Sequence, residues 1–239
     1  MSAAPSLRRH ALSLAAPCLV TVALAAIGCA SPTPAIDASP GLEIRVDGAY
    51  EDWRGRFTRL DARRSVGLGV TRDGTDLYFC LVTRDFGVQT LLRRAGFTLW
   101  IDPAGGRRER LGLRVAPLAG VPGAGGEDGG PPDRGESVAP RMEIVRDGAE
   151  YGYQLTETGP DHPVEARTAQ NVDVVVYEFR VSTDEAPLAE LALAPRQVLG
   201  VGVVSEPLPE PEDALPGAPR AKIPPLAVWA VTTGGRDPR

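Results

Sequence analysis

The chain has 239 residues, with 26 Lys and Arg against 31 Asp and Glu, three Cys, two His, 27 Gly and 23 Pro. Its 43% hydrophobic and 24% charged residues are ordinary globular values and exclude collagen-like, coiled-coil and disulfide-framework classes. The length suits one domain of roughly 150 to 200 residues with extra segments.

At the N-terminus, Arg8 and Arg9, with no acid nearby, precede an uncharged and mostly apolar run over 11–27 that ends in Gly28-Cys29. This architecture reads as a signal peptide over 1–28. Pro17 inside the run and Ser31-Pro32-Thr33-Pro34 behind it argue against a permanent transmembrane helix. Ala26-Ile27-Gly28-Cys29 resembles the lipobox of bacterial lipoproteins, with Ala26 where that pattern usually has Leu. The resemblance implies lipidation of Cys29 and a membrane anchor in the cell envelope. Ala30 rather than Asp behind the cysteine further implies outer-membrane sorting in a Gram-negative cell, the domain facing the periplasm or the surface. Ordinary cleavage after Ala23-Leu24-Ala25, leaving Cys29 as a free thiol, is the alternative reading.

Residues 29–41, with three Pro, one Gly and two Ser, are expected to form a flexible tether. Loss of Arg8 and Arg9 with the signal leaves 24 bases against 31 acids, a net charge of −7 that disfavours nonspecific nucleic-acid binding. Cys18 leaves with the signal, so Cys80 has no intrachain partner once Cys29 carries lipid.

Short β-branched or alternating runs separated by turn dipeptides then dominate, and they predict strands over 43–46, 65–72, 76–84, 96–102, 109–115, 142–146, 150–156, 172–182, 197–205 and 227–233. Asp47-Gly48, Asp73-Gly74 and Asp147-Gly148 supply turns, and Pro103-Ala104-Gly105-Gly106 closes a further hairpin. Helical pieces are expected only at 50–56 and 186–193. Segment 116–140 holds seven Gly and five Pro, and segment 206–225 holds seven Pro with Glu206, Glu210, Glu212 and Asp213, so both read as insertions. The expected fold is an all-β antiparallel sandwich, immunoglobulin- or jelly-roll-like, as one domain over 42–233 with a disordered tail over 234–239.

Ile44-Arg45-Val46-Asp47-Gly48 followed by Asp52-Trp53, then the run from Val70 to Phe79, Phe97-Thr98-Leu99-Trp100-Ile101-Asp102, and Val176-Tyr177-Glu178-Phe179-Arg180-Val181, occur in an order that resembles family 9 carbohydrate-binding modules within the DOMON-like sandwich class. The resemblance implies sugar binding, although relatives of the same fold bind haem or no known ligand. In the opening motif Asp47, Gly48 and Trp53 read as structural, the aromatic plugging the end of the sandwich and an Asp capping a short helix.

The sequence points away from an enzyme. Behind the signal only His162 offers an imidazole, and there is no Gly-x-Ser-x-Gly elbow, Cys-x-x-Cys pair or phosphate-binding Gly loop. Asp73 and Asp76 could serve calcium or glycoside hydrolysis, but turn chemistry explains them. Haem would have to draw on Met142, His162, Lys222 or a cysteine, and no local spacing supports ligation. No cofactor is expected. Cys80, in an apolar run, reads as a buried filler.

The ligand candidate is a strand face on which Trp100 shares its side with Thr98, Asp102, Arg110 and Arg114, and which Tyr78 joins if its strand is adjacent. An exposed indole flanked by Asp and Arg suits a sugar ring, whose C–H face stacks while fixed donors read the hydroxyls. The competing reading is an Arg-covered Trp that shields the sheet. The expected function is noncatalytic, membrane-anchored binding of a polysaccharide or envelope glycan. The alternative is an envelope scaffold or adaptor that meets a protein partner through the acidic, Pro-rich 206–225 segment.

Overall fold

The computed structural model describes residues 33–38, 43–118, 137–146, 153–155, 159–171, 173–185, 189, 193–194, 197–208 and 223–233. In chain order the elements are β1 (Ala35–Asp37), β2 (Thr58–Asp61), β3 (Val66–Asp73), β4 (Asp76–Thr83), α1 (Phe86–Ala95), β5 (Phe97–Asp102), β6 (Leu111–Val115), β7 (Ser137–Val138), β8 (Met142–Arg146), β9 (Tyr153–Leu155), β10 (Val164–Gln170), β11 (Val175–Ser182), β12 (Gly200–Ser205) and β13 (Ala227–Thr233). They form a seven-stranded sheet, β1-β13-β12-β5-β6-β8-β9, and a six-stranded sheet, β2-β3-β4-β11-β10-β7. The β1–β13 pair is parallel, and every other pair is antiparallel. The fold is therefore the expected sandwich.

The core follows from strand alternation. Phe97, Leu99 and Ile101 of β5 share the inner face of their sheet with Leu111, Leu113 and Val115 of β6. Tyr177, Phe179 and Val181 of β11 share the inner face of the other sheet with Leu77, Phe79 and Leu81 of β4. Phe97 meets Tyr177 edge-on with ring centroids 4.8 Å apart, joining the two sheets.

The Asp73–Asp76 register closes the β3–β4 hairpin at Gly74, whose φ of 56° is the left-handed turn expected there. From β4 the chain crosses to the other sheet through α1. Asp85 caps that helix by accepting from the Val88 N–H at 2.8 Å, and Val88, Leu91 and Leu92 point into the core.

Several expectations need correction. Segment 43–46 is not a strand, because it passes over the outside of the six-stranded sheet instead of pairing with it. The expected tether contains β1, and Ile36 is fully buried in the core, so the folded unit begins before residue 42. Strands β2, β7 and β10 and helix α1 were not expected, and β7 lies inside the segment 116–140 read as an insertion. Helix 186–193 falls largely outside the described residues, as do 1–32, the central part of each insertion and 234–239. Among the described residues, no helix is long and apolar enough to cross a membrane.

Candidate functional site

The outer face of the six-stranded sheet is organised by one carboxylate. Glu178 lies on β11 opposite Cys80 of β4, and alternation directs it away from the core. Its Oε1 accepts from Trp53 Nε1 at 2.8 Å, and its Oε2 accepts from the backbone N–H of Gly48 at 2.7 Å and of Asp47 at 3.2 Å. Glu178 and Trp53 are both fully buried. Burial pushes the Glu178 carboxyl up to about 7, against the N–H groups that favour its charged form.

The Asp47-Gly48-Trp53 motif is thus structural, by a different route from the one expected. Trp53 lies flat on the sheet, over Gly69 of β3, where a Cβ would sit 2.5 Å from its Cε3. Gly48 has φ 88° and lies so close to the β7 and β10 edge that a Cβ would sit 2.7 Å from Ser137 Oγ. Asp52 does not cap the short 3-10 turn Glu51–Trp53; its Oδ2 accepts from Arg45 N–H at 3.3 Å. Cys80 is a free, buried thiol whose pKa is raised by burial and then by Glu178.

Beside Trp53 this face has a cavity of about 370 Å³. Tyr50 and Phe57, from the segment that carries Trp53, wall it with ring centroids 6.4 Å apart. Gly67 of β3 contributes backbone only, beneath the Phe57 ring, and Ser65, Thr83, Arg59 and Arg84 complete its polar lining. Ser65 has a left-handed φ of 48°, uncommon for a residue with a side chain. Arg59 and the hydroxyls of Tyr50 and Ser65 have no hydrogen-bond partner among the described residues, and Arg84 has only Asp173, 4.0 Å away. The lining thus combines aromatic rings with uncommitted polar groups, and its volume lies within the range of roughly 300 to 1,000 Å³ usual for small-ligand sites.

The sequence-predicted site residues lie elsewhere. Trp100 is on the outer face of the seven-stranded sheet but only 4% exposed. It packs against Gly112 of β6, where a Cβ would sit 2.8 Å from its Cε3, and so is not the exposed stacking plane expected. Asp102 is buried and organises the turn after β5, accepting from the Ala104 and Arg108 N–H groups, each at 3.0 Å. Arg114 is paired with Glu143 of β8 at 2.6 Å. Arg110 is exposed just before β6. Tyr78 does not join them, because β4 belongs to the other sheet. The structure therefore keeps Trp100 and Arg114 on one face, commits Asp102 to a turn and separates Tyr78.

Asp76 pairs with Arg180 Nη1 at 3.3 Å. No group of three or more His, Cys, Asp or Glu among the described residues is placed to hold a metal. Met142 is buried in the core, and His162 lies in the turn before β10.

The cavity residues were missed because they are scattered over 50–84, with Val174 added from far along the chain, and none forms a motif. A weak signal was present in Tyr50 and Phe57 flanking Trp53, three aromatics in eight residues beside basic Arg54, Arg56 and Arg59.

No protein-family model matches the sequence, and neither does any curated protein. Among solved structures, a family 9 carbohydrate-binding module from Caldicellulosiruptor kristjanssonii in complex with cellotriose is 12% identical, with 85% of this chain and 95% of that one covered and a TM-score of 0.41. The module from the same organism in complex with glucose is 13% identical, with 86% and 98% covered and a TM-score of 0.40. The chain is similar in structure to family 9 carbohydrate-binding modules. That similarity extends over most of its length at low identity.

Proposed function

We propose that this chain is a noncatalytic glycan-binding module of the bacterial cell envelope, held to the membrane through lipidated Cys29. The observation that carries the reading is the cavity on the six-stranded sheet, where the Tyr50 and Phe57 rings stand beside the uncommitted Ser65 hydroxyl and Arg59 guanidinium. A sugar needs that combination, an apolar ring surface for its C–H face and free donors and acceptors for its hydroxyls. In this reading the recognition site moves from Trp100 to the cavity, and Trp100 supports the opposite sheet.

The test is binding of the purified full chain to a panel of polysaccharides and peptidoglycan, with Tyr50→Ala and Trp100→Ala alongside. Binding that is lost in Tyr50→Ala and retained by the folded fraction of Trp100→Ala supports the cavity. Absence of binding across the panel by a folded protein overturns the glycan reading in favour of the envelope adaptor. The anchor is tested separately. Cys29→Ser is expected to abolish incorporation of labelled palmitate and release the protein from membranes, whereas unchanged fractionation removes the lipid from the proposal.

A further inference from the structure

The cavity lining contains two guanidinium groups, Arg59 and Arg84, and no carboxylate. In a chain with an excess of acids, 31 Asp and Glu against 26 Lys and Arg, that local balance runs against the whole molecule. The two arginines come from different strands. Arg59 belongs to β2, opposite Gly67 of β3, and Arg84 directly follows the end of β4. Across the sheet, Gly67 is in turn opposite Val82 of β4. The row between the arginines is therefore apolar, Gly67 lying beneath the Val82 and Phe57 side chains.

Neither guanidinium is consumed by the fold. Arg59 has no hydrogen bond or ion pair among the described residues, and the Arg84 contact with Asp173 is a 4.0 Å pair between side chains that are both mostly exposed. Such pairs hold little energy, so a bound anion can compete for Arg84. Arg180 provides a contrast. On the same sheet it is engaged by Asp76 at 3.3 Å, by Glu165 at 3.5 Å and by the backbone carbonyl oxygens of Pro160 and His162 at 2.6 and 2.9 Å. One arginine of this sheet is committed to structure, while the two at the cavity are available.

Building on the glycan reading, we propose that the cavity selects an anionic sugar unit. Its ring packs against the wall formed by Tyr50 and Phe57, and its acidic group is met by Arg59 and Arg84. Guanidinium groups suit this role because they stay charged at all relevant pH values and present parallel N–H donors to a carboxylate or phosphate.

Calorimetric titration of the purified full chain with trigalacturonate, with the neutral galactotriose and with glucose 6-phosphate tests this at two salt concentrations. The expected result is at least tenfold tighter binding of an acidic ligand than of galactotriose, weakening as salt rises. Arg59→Gln is expected to lose tenfold or more, and Arg84→Gln, whose arginine already has Asp173 as a neighbour, severalfold. Which acid is preferred, carboxylate or phosphate, is read from the two acidic arms. Both variants replace exposed side chains, and an unchanged melting temperature establishes that they are folded. Equal binding of galactotriose and trigalacturonate, unaffected by either arginine variant but lost in Tyr50→Ala, overturns the charge selection and leaves the glycan reading standing. Binding of no sugar, charged or neutral, here and across the wider panel, overturns both.

Discussion

The two outer faces of the sandwich use the same packing device and finish differently. On each, tryptophan rests on glycine. In the seven-stranded sheet the rings belong to the strands themselves, so that Val145, Gly112, Trp100, Gly202 and Trp229 lie opposite one another across five strands and alternate large with none. Trp229 covers Gly202 as Trp100 covers Gly112. In the six-stranded sheet the ring comes from outside, on a segment that Glu178 pins down through Trp53, Gly48 and Asp47. A face closed by its own strands fills its own gaps. A face closed by an added segment leaves a hollow where that segment departs, here between Tyr50, Phe57 and the β2–β3 turn.

The strongest way to break this comparison is to remove the pin. Glu178→Leu leaves two buried N–H donors, of Trp53 and Gly48, without an acceptor at about 1 to 3 kcal/mol each, together with the part-buried one of Asp47, and an overall loss of about 4 kcal/mol is expected in denaturant unfolding. Glu143→Gln, which weakens the half-buried Arg114 pair on the other face, is expected to cost about 1 kcal/mol or less. Comparable losses would mean that the two faces are secured alike. The pin also has a pH signature. Because the folded carboxyl is raised from 4.5 to about 7, its contribution is full below about 4.5 and is lost as pH rises through 7. The unfolding midpoint should therefore fall between pH 5 and 8 more in the wild type than in Glu178→Gln.

Adding a methyl under each ring sharpens the comparison. Gly69→Ala places a Cβ 2.5 Å from Trp53 Cε3, and Gly202→Ala places one 2.5 Å from Trp229 Cδ2. Each is expected to cost about 2 kcal/mol through overpacking. Their consequences for the cavity should differ, since displacing Trp53 also shifts the segment that bears Tyr50 and Phe57. Glycan affinity should thus fall in Gly69→Ala and hold in Gly202→Ala. Equal affinities would separate the cavity from the Trp53 segment.

The same contrast explains what could be read from the sequence. Strands such as Phe97–Asp102 and Ala227–Thr233 were legible because their alternation is local and their residues are β-branched, aromatic or apolar. Val164–Gln170 was not, since Glu165, Arg167 and Gln170 make a poor strand in isolation and β11 supplies the pairing. Helix α1 carried a usable signal in Asp85 followed by Val88, Leu91 and Leu92 and closed by Gly96, but it is short and stands between two strong strands. Trp100 was correctly placed on the outward side of β5, yet its burial depends on Gly112, a residue on another strand. The role of Glu178 depends on partners 125 to 131 positions away, a distance at which no local pattern operates.

The smallest expected effect has the opposite sign and bears on the cavity itself. Ser65 has φ 48° at the turn between β2 and β3, a conformation glycine adopts at no steric cost. Ser65→Gly relieves that strain but gives the unfolded chain more freedom, so the net gain should be only about 0.5 kcal/mol, or roughly 1 to 2 °C in melting temperature. The hydroxyl at the cavity is lost in the same substitution, and glycan affinity should fall severalfold. A protein that becomes more stable and binds less well would show that strain is retained at this turn because the side chain is used. A gain in stability with unchanged affinity would make Ser65 an ordinary strained turn and confine recognition to the aromatic wall and the arginines.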